Sequence, residues 1–445
     1  MSTIAARLER LPFSRFHLRL LLIGGSGYLF DAMDVAILAF LMPQLKTLWG
    51  LSSEQLGLIG ASTAIGGLFG AMVAGRLADT LGRRAVMMWA LAIYCLATVA
   101  SAFAQDWQVF LVFRIVAGLG TSAESVVIAP FLAEFAGARF RGRFTGALTG
   151  FFSFGYIAAA LLAQFIPLMG SEGWRWILVI TSTPILLLLW WRRRLPESPR
   201  WLVSKGRDAE AAAIVDAIEA EVRLQHPTLP AAVDVPVEPS TAARSGGYGD
   251  LFSRAYVRST LVVLTVWFSI GFTYYAYFTW LPSLLVASGQ DLKRSFAFSL
   301  LIYAAQVPGY FSAAYFNDRF GRRSVVSTYL GLAACMALVM AVGSVEWKII
   351  AAAACLSLFM NGAYAGLYAY TPEVFPTRIR ATGQGLAIAV SRVGAAISPI
   401  VVGFVYPLGG FAVVFGLSTA VLAVGALAIG LYGVQTRGRT LESLY

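Results

Sequence analysis

Lysine is almost missing from this chain: only Lys46, Lys205, Lys293 and Lys348 occur, and none follows a Gly-x4-Gly-Lys-Ser/Thr loop. Nucleotide hydrolysis is therefore not the expected energy source. Histidine is scarcer still, with His17 ahead of the first apolar run and His226 in a proline-rich stretch, so proton chemistry inside the apolar runs falls to carboxylates. The three cysteines, Cys95, Cys335 and Cys355, each lie within an apolar run, a pattern that implies neither disulfides nor a metal site. Charge of either sign is sparse, at 13% of 445 residues.

What replaces charge is apolar surface: 58% of the residues are hydrophobic and the mean hydropathy is +0.72. No soluble fold of this size hides so much, which makes the chain a polytopic membrane protein in contact with lipid. The net charge of +11 sits in short clusters between apolar runs, so it reads as topology and not as a nucleic-acid face.

Runs of the length that crosses a bilayer as a helix fall at about 18–42, 54–75, 85–104, 108–134, 144–168 and 174–191, then at about 256–281, 295–316, 324–343, 347–371, 382–406 and 410–433. The expected architecture is all-α: twelve transmembrane helices in two six-helix halves, 1–191 and 256–445, around a cytoplasmic linker at 192–255. That linker is expected to carry an amphipathic helix near Asp208–Leu224 before it breaks at Pro227, Pro230, Pro236 and Pro239. With both termini cytoplasmic, only Lys46, Arg175, Lys293, Arg294 and Lys348 face outward, Arg114 and Arg392 lie inside spans, and the other 27 of the 34 basic residues face the cytoplasm. Arg7, Arg10, Arg15 and Arg19 precede a long run without a small-residue cleavage site, which reads as a retained first span.

The halves are copies. Gly75-Arg-Leu-Ala-Asp-Thr-Leu-Gly-Arg-Arg84 returns as Ala314-Tyr-Phe-Asn-Asp-Arg-Phe-Gly-Arg-Arg323, matching Asp79, Gly82, Arg83 and Arg84 to Asp318, Gly321, Arg322 and Arg323 at an offset of 239. Glu134, Arg139 and Arg141 match Glu373, Arg378 and Arg380 at the same offset. Topogenic charge accounts for the arginines but not for the acids or glycines, so the twelve charged positions are expected to form a cytoplasmic gate whose acid–base pairs latch one side shut.

These motifs resemble those of major facilitator superfamily secondary transporters over nearly the whole chain. Pro196-Glu-Ser-Pro-Arg-Trp-Leu202 and Arg437-Gly-Arg-Thr-Leu-Glu442 are similar to sugar-porter signatures. Phe30-Asp-Ala-Met-Asp34, Ala123-Glu-Ser125 and Tyr370-Thr-Pro-Glu-Val-Phe-Pro-Thr-Arg-Ile-Arg-Ala-Thr-Gly383 resemble bacterial metabolite:proton symporters related to synaptic-vesicle proteins, a group that includes nicotinate transporters.

At membrane depth the repeat breaks down. Under the same offset Asp34 meets Thr273, Arg114 meets Ala353, Glu124 meets Ala363 and Arg392 meets Ser153, so each deep charge exists in one half only. Such charges cost about 2.5–3.5 kcal/mol each on insertion and are expected to pair or face a cavity. Asp31 and Asp34 share a helix face, whereas Arg114 and Glu124 lie roughly 15 Å apart along one helix and cannot meet. An Asp34–Arg114 pair is within reach, and the resemblance to proton-coupled sugar porters implies it; a static structural pair is the competing reading. Arg392 lies too deep to snorkel and suits a substrate carboxylate, against the alternative of an ion pair to Asp31 or Glu124. Tyr274, Tyr275, Tyr277, Asn361, Tyr364 and Tyr368 read as a wall able to stack a planar ligand, or as plain packing, with Gln164 and Gln306 as further candidates.

The expected function is proton-coupled symport of a small organic anion, an aromatic or heteroaromatic monocarboxylate such as nicotinate, by alternating access in the bacterial inner membrane. Asp31, Asp34, Arg114 and Glu124 would couple the proton and Arg392 would hold the carboxylate. A transporter of organic cations or drugs, with Glu124 or Asp31 as counter-ion, stays open, as does a non-transporting sensor. No enzyme is expected, nor a cofactor, metal, nucleotide or nucleic-acid partner, and the chain is expected to work as a monomer with its small-molecule substrate and protons.

Overall fold

The computed structural model describes residues 4–186, 190–191, 194–231, 248–287, 291–343 and 345–435. The tail motif at 437–442, Pro236 and Pro239 lie outside the described residues, as do the side chains of Asp318 and Arg378.

Ten described helices are long and apolar enough to cross a membrane. The first half contributes α2 (Arg15–Trp49), α3 (Ser53–Leu81), α4 (Arg83–Ala102), α5 (Trp107–Ala133) and α6 (Ala138–Ala163), after a short N-terminal helix, α1 (Ile4–Glu9). Its sixth span is α7 (Gly173–Thr181) followed by a 3-10 turn at Thr183–Leu186. Then come α8 (Pro199–Ser204), α9 (Asp208–Arg223) and α10 (Tyr248–Leu251) of the linker. The second half runs through α11 (Val257–Ala287), α12 (Leu292–Ala304), α13 (Gln306–Phe320), α14 (Arg322–Val342), α15 (Glu346–Val374) and α16 (Thr377–Tyr432). One expected span becomes α12 and α13, interrupted at Ala305. Conversely, α16 holds two spans joined where Gly409 and Gly410 leave helical geometry, and with that division the twelve expected spans are present in order.

By internal contacts the chain divides into two compact units, one of Met1–Val35, Ile65–Tyr156 and Trp174–Ser240, the other of Ala36–Ala64, Ile157–Gly173 and Thr241–Tyr445. In the first, packing depends on small residues, as expected where lipid offers no hydrophobic drive between helices. A Cβ on Gly66 or Gly70 of α3 would stand 1.9 or 2.2 Å from the carbonyls of Ile115 or Leu119 on α5, so only glycine allows that approach.

The linker is more firmly attached than its proline content suggests. Val215, Ile218 and Val222 on one face of α9 enter the same buried cluster as Leu20, Ile23, Phe131 and Phe135. The flanks of that face are clamped by the N-terminal segment: Arg7 reaches Asp216 at 2.5 Å and Glu219 at 3.0 Å, Arg10 reaches Glu219 at 2.7 Å, and Arg19 reaches Glu221 at 2.8 Å. Burial works against the charge of Glu219, but the two guanidinium groups outweigh it and hold its carboxyl below the ordinary glutamate range.

The doubled motif keeps its geometry. Gly82 (φ 96°, ψ 150°) and Gly321 (φ 85°, ψ 148°) turn the chain between helices in a backbone region that is essentially glycine's alone. Arg83 pairs with Glu134 at 3.2 Å, and its counterpart Arg322 pairs with Glu373, also at 3.2 Å. Arg141 Nε donates to the Ala136 carbonyl at 3.0 Å, and Arg380 Nε to the Phe375 carbonyl at 3.3 Å.

The expected network needs correcting in its partners. Glu134 takes Arg83, not Arg139 or Arg141, because Arg83 leads α4 beside the end of α5. Arg141 pairs with Glu9 of α1, Arg139 is exposed, and Asp79, largely exposed, lies 3.8 Å from Arg83. The linker motif fills in the rest. Glu197 Oε1 accepts from the backbone N–H groups of Arg83 and Arg84 at 3.1 and 3.2 Å, capping α4, while Ser198 donates to Glu134 and the Trp201 indole to the Asp79 carbonyl at 2.9 Å. Burial raises Glu134 above the usual glutamate range, with Ser198 and Arg83 pulling the other way. In the second unit Arg323 instead donates to the carbonyls of Ile429, at 3.3 Å, and Gly430.

Candidate functional site

In the first unit α2 presents Asp31 and Asp34 one turn apart, and α5 presents Arg114 and Glu124. Asp34 and Arg114 are both fully buried and meet in a bidentate pair, Nη1 to Oδ1 at 2.9 Å and Nη2 to Oδ2 at 2.6 Å. The Thr98 hydroxyl of α4 lies 3.4 Å from both Asp34 Oδ1 and Arg114 Nη1. A planar guanidinium facing a carboxylate in this way is among the strongest pairings available where water is excluded.

Asp31 takes a different partner: the Ser125 hydroxyl donates to its Oδ2 at 2.5 Å, and the Tyr28 hydroxyl donates to the Ser125 carbonyl at 3.0 Å. Glu124, fully buried, has no hydrogen-bond partner for either oxygen among the described residues. The four deep charges of this unit therefore fall into one closed ion pair and two acids in unlike settings.

The second unit carries aromatics. The rings of Tyr274 and Tyr364 meet edge to face at 5.5 Å, Trp267 stands edge-on to Tyr364 at 5.8 Å and to Tyr368 at 5.0 Å, and Tyr364 and Tyr368 stack at 6.2 Å. The Trp267 indole donates to Thr371 Oγ1 at 2.8 Å, which fixes its ring. Tyr364 exchanges a hydrogen bond with Ser391 at 3.2 Å, and the neighbouring Arg392, half-buried, lies within electrostatic reach of Tyr364 and Tyr368. Tyr368 is exposed and Tyr275 half-buried, so both present surface.

The other candidates separate by what their polar atoms do. Tyr277 is buried and its hydroxyl donates to the Ala353 carbonyl at 2.9 Å, which ties α11 to α15. Gln164 donates to the Ala160 carbonyl of its own helix at 3.4 Å. Asn361 donates to the Ser357 carbonyl at 2.9 Å, which leaves its Oδ1 without a partner. Gln306, buried where α13 starts, has an Nε2 without a partner. Buried polar atoms left open in this way are rare in folded proteins and suit a wall that receives a polar ligand.

Sequence reasoning missed Thr98, Trp267 and Ser391. Ser391 adjoins Arg392 and could have been found from it; Thr98 and Trp267 stand in apolar runs with no local signal. Ser125, Glu197 and Ser198 lay within recognised motifs, but their partners are 94, 114 and 64 residues away.

Comparison with known proteins gives the family and the fold. The sugar (and other) transporter family model matches residues 25–445. The chain is 37% identical to the niacin transporter NiaP of Acinetobacter baylyi, across 99% of both chains. It is 33% identical to the putative niacin/nicotinamide transporter NiaP of Bacillus subtilis, across 95% of this chain and 98% of that one. Among solved structures, the partially occluded inward-open xylose transporter XylE of E. coli superposes with a TM-score of 0.75 at 20% identity, covering 96% of this chain and all of XylE. At that identity the likeness speaks for the fold, the twelve-helix major facilitator fold. Matched along almost its entire length, the chain belongs to the sugar (and other) transporter family, as a multi-pass membrane transporter of small molecules.

Proposed function

We propose that this chain is a proton-coupled symporter for a small aromatic or heteroaromatic monocarboxylate, with nicotinate the first substrate to test. The observation that carries the reading is Arg392 set against the Trp267–Tyr364–Tyr368 wall, in a chain 37% identical to a niacin transporter. A guanidinium grips a carboxylate through two hydrogen bonds, and tyrosine and tryptophan rings stack on a planar heterocycle. Gln306 and Asn361 supply the open donor and acceptor for a ring nitrogen or a bound water.

Coupling is assigned to Asp31, Asp34, Arg114 and Glu124. A proton arriving at this group changes the charge that the first unit must keep buried, and so biases the inward–outward equilibrium. The halves 1–191 and 256–445, with the linker 192–255 and both termini cytoplasmic, are the bodies that move, and the duplicated Asp79/Asp318 loops gate the cytoplasmic side. The reaction is transport, without bond-making on the substrate.

The test is uptake of radiolabelled nicotinate into proteoliposomes, with and without an inward proton gradient, for the native chain and for Arg392→Ala. Gradient-stimulated uptake that disappears in the variant is expected; its survival in the variant would remove Arg392 from the site. Organic-cation transport is the second reading, favoured by 28% identity to organic cation/carnitine transporter 7 of Arabidopsis thaliana across 99% of this chain and by the acids of the first unit. Competition by cationic dyes, and not by benzoate-like acids, would select it. Flux in liposomes holding only this protein would dispose of a non-transporting sensor.

A further inference from the structure

We infer that Glu124 is the residue that carries the coupled proton, while the Asp34–Arg114 pair stays ionised as the fixed element beside it. The inference rests on the symport reading and resolves which acid in that group is loaded.

Asp34 and Glu124 differ in what surrounds them. Asp34 receives both guanidinium arms of Arg114, so its negative charge is matched where it stands. Glu124 is 0% exposed, and neither of its oxygens meets a donor among the described residues. A carboxylate in that position would be a bare charge in an apolar site, which is far costlier than the neutral acid. An acid so placed takes up a proton instead.

Its neighbours were evidently shaped around it. Gly27 of α2 lies directly opposite: a Cβ there would come within 2.4 Å of Glu124 Oε1, 3.0 Å of Ile128 and 3.1 Å of Trp191. The recess is thus a glycine gap walled by an aliphatic and an aromatic side chain, large enough for a carboxyl group.

Among the described residues, the ionisable groups on the packed elements leave Glu124 without a cation. From α2 they are Asp31, an acid within electrostatic reach of it, and Tyr28, whose hydroxyl is turned to the Ser125 carbonyl. From α4, Tyr94 donates to the Thr181 carbonyl at 3.0 Å. On α5 itself, Arg114 is ten residues away with both Nη atoms on Asp34. Beside Asp31, a second ionised acid would be repelled, and a proton on Glu124 removes the repulsion. The step is simple: one proton passes from water to a Glu124 oxygen, forming an O–H bond, and release on the other side reverses it. The ion pair keeps its charges throughout.

Infrared spectroscopy of the full chain in lipid, without substrate, tests this. The native protein at neutral pH is expected to show the carbonyl stretch of a protonated carboxyl group, absent in Glu124→Gln and retained in Asp34→Asn. Gly27→Ala is expected to keep the band but move its frequency, because the added methyl crowds the carboxyl. A band of undiminished intensity in Glu124→Gln, or its absence from the native chain, overturns the inference. A transport readout follows: the pH profile of gradient-driven uptake flattens in Glu124→Gln, and an unchanged profile also overturns it. Because the spectrum needs no substrate, failure of nicotinate uptake would sink the symport reading without deciding this one.

Discussion

The duplicated loops and the membrane-depth residues are two regions built from one duplicated sequence, and they have diverged to different degrees. At the loops, residues 239 apart still form the same bonds: Arg83–Glu134 and Arg322–Glu373 share a 3.2 Å separation, and Gly82 and Gly321 share an unusual backbone conformation. At membrane depth no such equivalence survives, with acids and one closed ion pair in the first unit and Arg392 among aromatics in the second. Under the proposed alternating access, a moving scaffold needs matched loops, which suits this likeness. Under the proposed symport, a proton and an organic anion need opposite chemistries, and the unlike deep residues of the two units supply them.

The largest expected effect separates the two deep arginines. Arg114→Ala leaves Asp34 buried without its partner and should cost about 3–5 kcal/mol, seen as a large drop in the thermal unfolding midpoint in detergent. Replacing both Asp34 and Arg114 by apolar residues should restore much of it. Arg392→Ala removes a half-buried residue and should leave that midpoint nearly unchanged while uptake is lost; equal destabilisation by both arginines would break the contrast between a structural pair and a ligand anchor.

The loops offer the next test. Gly82→Ala and Gly321→Ala each force a side chain into glycine-only backbone space, at about 1–3 kcal/mol. Gly82→Ala should be the worse, since its Cβ would also come within 2.5 Å of Oε2 of Glu197, whose Oε1 caps α4. Limited proteolysis after Pro196 would reveal linker release in that variant, and an equal effect at both glycines would mean that the linker contributes nothing to the loop.

A smaller change is expected from Tyr364→Phe, which deletes the bond to Ser391 at about 0.5–1.5 kcal/mol and should weaken substrate binding by roughly two- to tenfold with the fold intact. Titration sharpens the comparison last. Glu219 is held low, so the clamp of Arg7 and Arg10 contributes stability above the ordinary glutamate range and loses it as pH falls through the lowered value. Glu134 is held high, so its sign is opposite: the fold favours its protonated form, a contribution present in acid and lost as pH rises through the raised value. Glu219→Gln should therefore flatten the acid-side loss of stability, whereas Glu134→Gln should mimic the acid form at neutral pH.

Much of the architecture was legible in residue order. Twelve apolar runs, the asymmetry of basic residues and the repeat at 239 follow from chain-local patterns, because a helix in lipid satisfies its own backbone and must be long and apolar wherever it lies. The deep charges were legible too, since a charge among apolar residues announces itself. Their partners were not equally so. An Asp34–Arg114 pair was within reach by depth and implied by the family resemblance, but Glu197 capping α4, Ser125 reaching Asp31 and Trp267 packing at right angles to Tyr368 depend on how distant segments approach. What the amino-acid order determined by itself was the number and order of the spans, the duplicated loops, and which positions carry unusual chemistry. What only the tertiary structure decided was which acid meets a cation and which is left in an apolar recess, because pairing depends on distances of a few ångströms between helices and not on spacing along any one of them.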